Sequence, residues 1–336
     1  MHEKVKWGVL GAARIALNKV IPAMQAGEWS YVSAIASRDH GKAQRTASDL
    51  GIAKAYASYE ELIEDEDIEA IYNPLPNHLH VPWSIRAAEM GKHVLCEKPI
   101  GLSVEEALKL IEARDQTGVK IGEAFIVRTH PQWLRAREIA RSGEIGELRA
   151  IAGAFSYYNR DPKNVRNVPE WGGGALMDIG CYPIVTSRFL FGEEPRRVCG
   201  LVELDPEFGV DRLTSAMLDF PSGQSVFTCS MQLVPYQRMQ IFGTRGRVEI
   251  EIPFNAPPDR PCRIGVDTGA DVFGSGTCYE EFQVCDQYTI QGDLFSRAIR
   301  ENSEVPTPLE ESVHNMAVIE AIFRSAASAR WEQVVV

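Results

Sequence analysis

The first 124 residues alternate between short apolar runs and helical patterns, and this alternation constrains the fold more than any other feature of the chain. Six runs are predicted as strands, at residues 5–10, 31–36, 53–56, 70–72, 93–96 and 120–124. Helical patterns and short connections separate them, which is typical of parallel strands with right-handed crossovers that cover both faces of a sheet. The sequence therefore predicts a doubly wound parallel sheet over residues 1–124.

The pattern changes after residue 125. Strand-like runs lie at 148–158, 196–204, 213–220, 224–233, 237–243 and 246–252. Pro221-Ser222-Gly223 and Thr244-Arg245-Gly246 separate such runs and indicate antiparallel hairpins. Helical patterns cover 131–142, 287–300 and 310–329, a Gly-rich helix start lies at 171–175, and 255–277 are predicted as loops. Residues 125–336 are therefore predicted to form an α+β domain on a large, mostly antiparallel open sheet.

The length, net charge and cysteine content of the chain limit its possible partners and location. A chain of 336 residues is long enough for two domains, and its net charge of −11 without a basic cluster argues against nucleic acid or an anionic membrane as partner. Seven cysteines without a CxxC pair indicate reduced thiols in the cytoplasm. The start, Met1-His2-Glu3-Lys4, shows no signal peptide, and no apolar run is long enough to span a membrane. An open sheet with too few helices to cover both faces predicts a homo-oligomer, a dimer or alternatively a tetramer.

A nucleotide fingerprint follows the first predicted strand. The segment Gly11-Ala12-Ala13-Arg14-Ile15-Ala16 fits G-x-G-x-x-G/A at its first and third positions, while Ala13 replaces the glycine that approaches a pyrophosphate. Any strand-to-helix turn is the alternative interpretation. Its position between a strand and a helix N-terminus, which offers free N–H groups to phosphate, favours dinucleotide binding by Gly11 to Ile15.

The end of the second predicted strand bears on the choice of cofactor. An acid there binds a ribose 2′-hydroxyl, whereas this strand ends in Ala36-Ser37-Arg38-Asp39 with Lys42 one turn later. A hydroxyl, a guanidinium and an ammonium suit a 2′-phosphate, so Ser37, Arg38 and Lys42 favour NADP(H) over NAD(H). The alternative is that Asp39 reaches back to the ribose while Arg38 is solvated.

Two further strand ends carry candidate groups. Lys98, in Cys96-Glu97-Lys98-Pro99, follows a predicted strand, at the edge where ligands bind an open α/β sheet. Its ammonium can polarise a carbonyl group. The alternative is that Lys98 and Pro99 lie on the surface and have no role in a site. The segment 73–80 is predicted as a loop over the cofactor, through Pro74, Leu75, Asn77 and His80. Its His78-x-His80 pair lacks a carboxylate or thiol at ligand spacing, so no metal site is predicted.

Asp178 and Tyr182 follow a glycine-rich segment, Gly172-Gly173-Gly174-Ala175. Four residues apart, they share one face if the segment is helical, and Pro183 predicts a kink. A buried tyrosine and a charge at a helix terminus are the structural alternative.

In combination these motifs resemble the glucose–fructose oxidoreductase, inositol dehydrogenase and rhizopine-catabolism (Gfo/Idh/MocA) family. The resemblance spans essentially the whole chain and rests on Glu97-Lys98-Pro99, the segment 123–131 and the glycine-rich segment through Tyr182. It implies a Rossmann domain followed by an α+β domain with a large open sheet that often serves as an oligomer interface. Tyr182, where many members have His, is similar to the glucose–fructose oxidoreductase, dimeric dihydrodiol dehydrogenase and NADP-dependent xylose dehydrogenase branch, and argues against inositol dehydrogenase activity.

The resemblance implies reversible hydride transfer between a nicotinamide and a carbinol carbon of a sugar-like polyol. Tyr182 would exchange the hydroxyl proton, Lys98 would favour the phenolate, and Asp178 would orient a neighbouring hydroxyl. Further contacts are predicted for the cofactor at Glu97 and Arg128, and for the substrate at Asn164, Arg166, Trp171 and Tyr288. The alternatives are reduction of a nucleotide-linked keto-sugar or of a carbonyl compound that is not a sugar, and a cofactor-sensing protein without catalysis.

Overall fold

The computed structural model describes residues 3–336. Met1 and His2, on which part of the prediction about an export signal rests, lie outside the described residues. The chain forms two compact units, one of residues 1–126 and 286–313 and one of residues 127–285 and 314–336. Each unit is built on one sheet.

The first unit contains the predicted parallel sheet. Its strands are β1 (Val5–Leu10), β2 (Ser30–Ala36), β3 (Lys54–Tyr56), β4 (Ala70–Asn73), β5 (His93–Cys96) and β6 (Ile121–Glu123). They are all parallel and run in the order β3-β2-β1-β4-β5-β6, so the chain reverses its direction of winding at β1 and β4. Ligands bind such sheets outside the strand ends at this switch point. The predicted fold class is confirmed.

Helices connect these strands. They are α1 (Ile21–Gln25), preceded by a π-helical turn (Ala16–Val20), α2 (His40–Leu50), α3 (Tyr59–Glu64), α4 (His80–Glu89) and α5 (Val104–Thr117). Their ends follow local chemistry. The side chains of Asp39, Ser58 and Ser103 cap α2, α3 and α5 by accepting backbone N–H groups, and Gly51 and Gly118 close α2 and α5 in the left-handed conformation.

The second unit contains a nine-stranded sheet. Its strands are β7 (Leu148–Tyr158), β8 (Arg197–Leu204), β9 (Asp211–Asp219), β10 (Gln224–Ser230), β11 (Gln232–Gly243), β12 (Arg247–Ile250), β13 (Cys262–Asp267), β14 (Thr277–Phe282) and β15 (Glu332–Gln333). The order is β14-β13-β12-β11-β7-β10-β9-β8-β15, and within the described part of this sheet only the β7–β10 pair is parallel. The mostly antiparallel sheet is as predicted.

The remaining helices are α6 (Pro131–Ser142), α7 (Cys181–Phe191), α8 (Gln287–Glu301) and α9 (Leu309–Ser328). The prediction that 255–277 form only loops is wrong, because β13 lies within them and pairs with β12 and β14. The sequence division at residue 124 also left 286–313 in the second domain. The structure groups this segment with the first unit, where Phe295 of α8 packs edge-on against Trp7 at 5.6 Å.

The two faces of the large sheet differ in burial. One row of cross-strand neighbours is buried throughout: Val198, Leu218, Ser225, Ile151, Ile241 and Val248. The adjacent row lies on the opposite face and is open: Cys199, Met217, Val226, Ala152 and Gln240. Met217 is 41% exposed, and Leu201 on the same face is 77% exposed. This open face leaves apolar side chains in water.

Within residues 3–336, no helix is long and apolar enough to cross a membrane.

Candidate active site

The turn after β1 has the geometry of a phosphate cradle. Gly11 has a φ of +82° and donates its N–H to the carbonyl of Ala36 at 2.8 Å. A Cβ added to Gly11 would lie 3.0 Å from the Leu75 side chain, which is a tight contact. Glycine adopts this conformation readily, so Gly11 makes the tight turn that leads to the free N–H groups at the helix start. Ala12 and Ala13 are half-buried, Arg14 is exposed, and Ile15 packs against the core of the first unit.

Charged groups surround this turn. Lys42 donates from Nζ to the carbonyl of Ala12 at 3.0 Å, and Arg38 lies within hydrogen-bonding range of the Tyr59 hydroxyl. Asp39 accepts the N–H of Lys42 at 3.0 Å as the N-cap of α2, while Ser37 accepts the N–H of Asp39. The carboxylate of Asp39 thus caps its own helix, while the exposed side chains of Arg38 and Lys42 place two cationic groups beside the turn.

The 73–80 segment is held from inside the protein. Asn73 is buried, donates to the carbonyl of His80 and the hydroxyl of Ser84, and accepts the N–H of Leu75. His80 lies with Nε2 at 2.7 Å from the Leu75 carbonyl and Nδ1 at 2.7 Å from the Pro99 carbonyl. Burial lowers the pKa of His80 to about 4, while the carbonyls of Pro99 and Leu75 oppose this shift. His80 joins two site loops instead of offering a free group to a ligand.

Pro74 and Leu75 are buried, and Asn77 is half-buried in a short 3₁₀ turn (Asn77–Leu79). Among residues 3–336 no group of three or more His, Cys, Asp or Glu side chains could hold a metal ion.

The Glu97-Lys98-Pro99 turn follows β5. Glu97 accepts the hydroxyl of Tyr72 at 2.6 Å and the N–H of Lys98 at 3.3 Å, and its own N–H donates to the Asn73 carbonyl. Lys98 is half-buried, close enough to His80 to disfavour its protonation, and its peptide bond to Pro99 is cis. Burial and Glu97 raise the pKa of Tyr72 well above 10, so it remains a donor that holds the carboxylate.

Tyr288 lies in the first unit, at the start of α8. Its N–H donates to Asp286, the N-cap, and its ring packs against the same core as Ala12, Ala13 and Ile15. Burial and the charge of Glu97 raise the pKa of its hydroxyl. Tyr288 therefore stays neutral, beside the nucleotide fingerprint.

Two helices that carry predicted site residues contain π-helical turns. One (Ala16–Val20) precedes Pro22 in α1, and the other (Leu176–Gly180) precedes Pro183 in α7. Proline lacks the N–H that closes an α-helical turn, which explains a widened turn before it. A π-helical turn that contains Asp178 therefore lies just before Pro183, at which the sequence predicted a kink.

Asp178 is the centre of a polar cluster in the second unit. Its Oδ2 accepts the hydroxyl of Tyr157 at 2.5 Å and Nε of Arg166 at 2.8 Å. Asp178 is buried, whereas the side chain of Arg166 is 42% exposed. Burial and Asp178 raise the pKa of Tyr157, and the same carboxylate raises the pKa of Arg166. Tyr157 therefore remains a hydrogen donor and Arg166 remains charged.

Tyr182 lies on the helix that continues from this cluster. Its ring packs against Phe155 at 5.9 Å and Phe254 at 5.4 Å, and the residue is buried. The Tyr182 hydroxyl lies close enough to Arg166 that its ionised form would raise the pKa of the guanidinium. The ring is thus held by a core while it lies close to a charged cluster.

Three other predicted residues have identifiable surroundings in the second unit. Asn164 accepts the N–H of Arg166 at 3.1 Å and caps a short 3₁₀ turn (Val165–Asn167). Trp171 is exposed, and the guanidinium of Arg128 lies 5.0 Å from the ring centre of Phe189. Trp171 offers a flat apolar face, and Asn164 acts on the backbone of Arg166.

The structure assigns residues that the sequence did not single out. Tyr72 and Tyr157 hold the carboxylates of Glu97 and Asp178, each from a strand distant in sequence. Tyr59 packs beside Gly11 and Arg38. An alternating strand pattern does not distinguish such tyrosines from ordinary sheet aromatics.

The glycine turn with Arg38 and Lys42 beside it fits a nicotinamide dinucleotide, because backbone N–H groups and cations are what its phosphates require.

Two family models match the chain. Residues 5–125 match the oxidoreductase family with an NAD-binding Rossmann fold, and residues 133–249 match the GFO/IDH/MocA C-terminal domain.

Curated relatives cover most of the chain. An uncharacterised oxidoreductase of Rhizobium meliloti is 50% identical over 98% of this chain and 99% of its own. The D-xylose 1-dehydrogenase (NADP(+)) 2 of Haloferax volcanii is 37% identical over 95% and 97%. The dTDP-3,4-didehydro-2,6-dideoxy-alpha-D-glucose 3-reductase of Streptomyces violaceoruber is 34% identical over 87% and 84%.

Solved structures agree in fold. The aldose-aldose oxidoreductase of Caulobacter crescentus superimposes with a TM-score of 0.91 at 27% identity, over 98% of this chain and 100% of its own. A tyrosine-to-phenylalanine variant of a 3-ketoreductase of Actinomadura kijaniata, in complex with TDP-benzene and NADP, gives a TM-score of 0.90 at 26% identity over 96% and 98%. Variants of a lysine in that ketoreductase have also been solved.

Proposed function

The chain belongs to the Gfo/Idh/MocA oxidoreductase family, and we propose on this basis that it is an NADP(H)-dependent enzyme that interconverts a hydroxyl and a carbonyl of a sugar-like polyol. The observation that carries the proposal is the Tyr157–Asp178–Arg166 cluster one helical turn before Tyr182. A buried carboxylate with two donors, beside a half-exposed guanidinium, is suited to orienting substrate hydroxyls. A cofactor-sensing protein has no need of such a cluster.

In this proposal Tyr182 gives or takes the hydroxyl proton. A free phenol has a pKa of about 10, so a nearby cation is needed to favour the phenolate at neutral pH. Lys98 has this role and also holds the substrate oxygen. The bound nicotinamide supplies the two-electron acceptor or donor. The lysine and tyrosine substituted in the ketoreductase structures have the same sequence separation as Lys98 and Tyr182, which supports the pairing.

NADP(H) is the proposed cofactor. Lys42 already reaches the fingerprint turn, Arg38 is exposed beside it, and Asp39 is engaged as a helix cap. These contacts favour a 2′-phosphate over a free 2′-hydroxyl. Glu97 and Arg128 are proposed as further cofactor contacts, and Asn164, Arg166, Trp171 and Tyr288 as substrate contacts.

We also propose a cytoplasmic homo-oligomer. Within residues 3–336 none of the seven cysteines forms a disulfide, as in a reducing compartment. Apolar side chains on the open sheet face, such as Met217 and Leu201, support burial against a second copy.

A substrate screen tests the activity. Pyranoses, inositols and trans-dihydrodiols would be offered with NADP⁺, and NADPH formation followed by absorbance. We expect turnover of a pyranose or dihydrodiol. Tight cofactor binding without turnover, both in this panel and in an assay of keto-sugar reduction by NADPH, would contradict the proposal and favour a cofactor-sensing protein.

A second candidate is reduction of a nucleotide-linked keto-sugar. The similarity to the Streptomyces violaceoruber 3-reductase favours it. It would be tested by NADPH consumption with a dTDP-linked keto-sugar, and turnover there without oxidation of free sugars would select it.

A further inference from the structure

Asp211 is a buried carboxylate outside the cluster described above. It is the first residue of β9 and is 2% exposed. Its Oδ2 accepts the N–H of Leu176 at 2.7 Å and the hydroxyl of Thr214 at 2.9 Å, and the backbone N–H of Ala175 also donates to the carboxylate. The two backbone donors, Ala175 and Leu176, lie at the start of the π-helical turn (Leu176–Gly180) that carries Asp178. Asp211 therefore caps the helix from a distant strand.

The glycine segment is shaped around this carboxylate. Gly174 has a φ of +116°, and a Cβ built on it would lie 1.9 Å from Oδ1 of Asp211. A side chain at position 174 would therefore expel the carboxylate, in addition to straining the backbone. The space above the third glycine of the segment is occupied by Asp211.

The same segment joins both members of the Arg166–Asp178 ion pair. Gly174 donates its N–H to the carbonyl of Arg166 at 2.9 Å, and its carbonyl accepts the N–H of Asp178 at 3.1 Å. Gly173 also packs closely against the backbone of Arg166, because a Cβ added to Gly173 would lie 2.4 Å from the Arg166 carbonyl oxygen. A displacement of Gly174 would thus move the backbone of Arg166 and of Asp178 together.

Keeping an ionised carboxylate in this place costs free energy. Burial raises the pKa of Asp211 to about 7, against the opposing effect of its hydrogen bonds with Leu176 and Thr214. A neutral side chain would avoid that cost. The benefit of the carboxylate is that it accepts several donors at once at the positive end of the helix.

We propose that Asp211 is a positioning residue for the active site: it fixes the glycine turn and thereby sets Asp178 and Tyr182 in the geometry that proton transfer requires. The inference rests on the proposed oxidoreductase function for its catalytic consequence. A misplacement of about 1 Å at reacting groups can cost about 10²-fold in rate, so the effect falls on turnover.

Hydrogen exchange and kinetics of Asp211→Asn test the proposal. The variant keeps the shape but replaces one carboxylate oxygen by an amide NH₂, so it loses one acceptor and the charge of the ionised form. We expect faster amide exchange across 174–182, kcat lower by about 10- to 100-fold, and NADPH affinity within about twofold of the parent.

Asp267→Asn is the matched control. Asp267 is also buried in the second unit, and it accepts a backbone N–H from Gly269 and a hydroxyl from Thr277 at the distant β13–β14 hairpin. The control should leave exchange at 174–182 and kcat within about twofold of the parent. A similar fall of kcat in both variants, or parent-like exchange at 174–182 in Asp211→Asn, would overturn the proposal.

Thr214→Val covers the case in which Asp211→Asn does not fold. It removes one donor to the carboxylate and keeps the side-chain volume, so a smaller increase of exchange at 174–182 is expected, and no increase would refute the role of Asp211. Exchange needs no substrate, so a parent that is inactive in the substrate screen would defeat the proposed function alone.

Discussion

The hydroxyl of Tyr157 donates a hydrogen bond to Oδ2 of Asp178 at 2.5 Å, which links the long strand β7 to the π-helical turn of the site. The same oxygen is bound by Nε of Arg166. The carboxylate is thus held from a strand and from a loop. Its orientation depends on both donors, and a substrate hydroxyl would meet a preset acceptor.

Tyr157→Phe removes one of those donors. A hydrogen bond to a charged group contributes about 1.5–3 kcal/mol, so kcat/KM should fall by about 10- to 100-fold. Steady-state kinetics with the substrate found in the screen would measure this. Tyr158→Phe, at the exposed neighbouring position in β7, is the control and should leave kcat/KM unchanged. Equal kcat/KM for both variants would show that the Asp178 contact does not support catalysis.

Arg38→Ala tests the cofactor preference. Loss of a charge-assisted hydrogen bond to a 2′-phosphate should weaken NADP(H) binding by about 1.5–3 kcal/mol and leave NAD(H) binding nearly unchanged. Titration of cofactor fluorescence measures both affinities. Lys109→Ala, on the exposed side of α5, should change neither. Equal losses for the two cofactors after Arg38→Ala would contradict the 2′-phosphate contact.

Acid stability should depend on His130. Its Nδ1 accepts the N–H of Gln132 at the start of α6, and burial lowers its pKa to about 4, whereas an unfolded histidine has a pKa of about 6.5. Between these values the unfolded chain binds one more proton, so stability falls as the pH falls from about 6.5 to 4, by about 1.4 kcal/mol per pH unit at most.

His130→Asn keeps a capping side chain but removes the titration, so its free energy of unfolding should depend less steeply on pH in that range. Urea unfolding at several pH values measures the slope. A parent-like slope in His130→Asn would exclude the buried ring as the source.

The open sheet face predicts the assembly. Met217 and Val226 are directly opposed on β9 and β10, and both are partly exposed. Met217→Glu combined with Val226→Glu should place two like charges in a contact between copies and convert an oligomer to a monomer. Light scattering at micromolar concentration measures the mass. Leu108→Glu, at a similarly exposed position on α5, should leave it unchanged, and a monomeric parent would contradict the assembly.

Much of the fold could be predicted because its signals are local. The run at residues 5–10, in which only Lys6 is charged, predicted bounds identical to Val5–Leu10, since buried parallel strands carry little polar interruption. β13 could not be predicted in the same way. Its six residues lie among Gly, Pro and Asp, and pairing with β12 and β14 stabilises them. Local propensity does not contain that information.

Candidate site residues could be predicted from the sequence where the relevant groups are concentrated in one segment, as for Gly11 and the Glu97-Lys98-Pro99 turn. Their roles stay predictions. Tyr157 and Asp211 were missed because their partners, Asp178 and Leu176, lie 21 and 35 residues away in sequence. Contacts of that kind depend on sheet register and leave no periodic signal.

The pair of Lys98 and Tyr182 gives the most specific test of the mechanism. If they form one proton-transfer unit, removal of either should lower kcat far more than cofactor affinity, and the double variant should be little worse than the worse single one. General acid–base catalysis contributes about 10²–10⁴-fold, so Tyr182→Phe should lose that much while its ring still packs on Phe155 and Phe254.

Lys98→Met keeps the aliphatic stem and deletes the charge. Because the cation favours the phenolate, its loss should move the limb of the kcat/KM oxidation profile that reports Tyr182 to higher pH. Stopped-time assays from pH 6 to 10 would measure the profile, with Tyr236→Phe on the exposed part of β11 as a control. If Tyr182 is only an aromatic residue of the core, Tyr182→Phe should leave the activity nearly unchanged. Activity of Tyr182→Phe within about threefold of the parent at saturating substrate would therefore refute the mechanism and leave the family and the fold untouched.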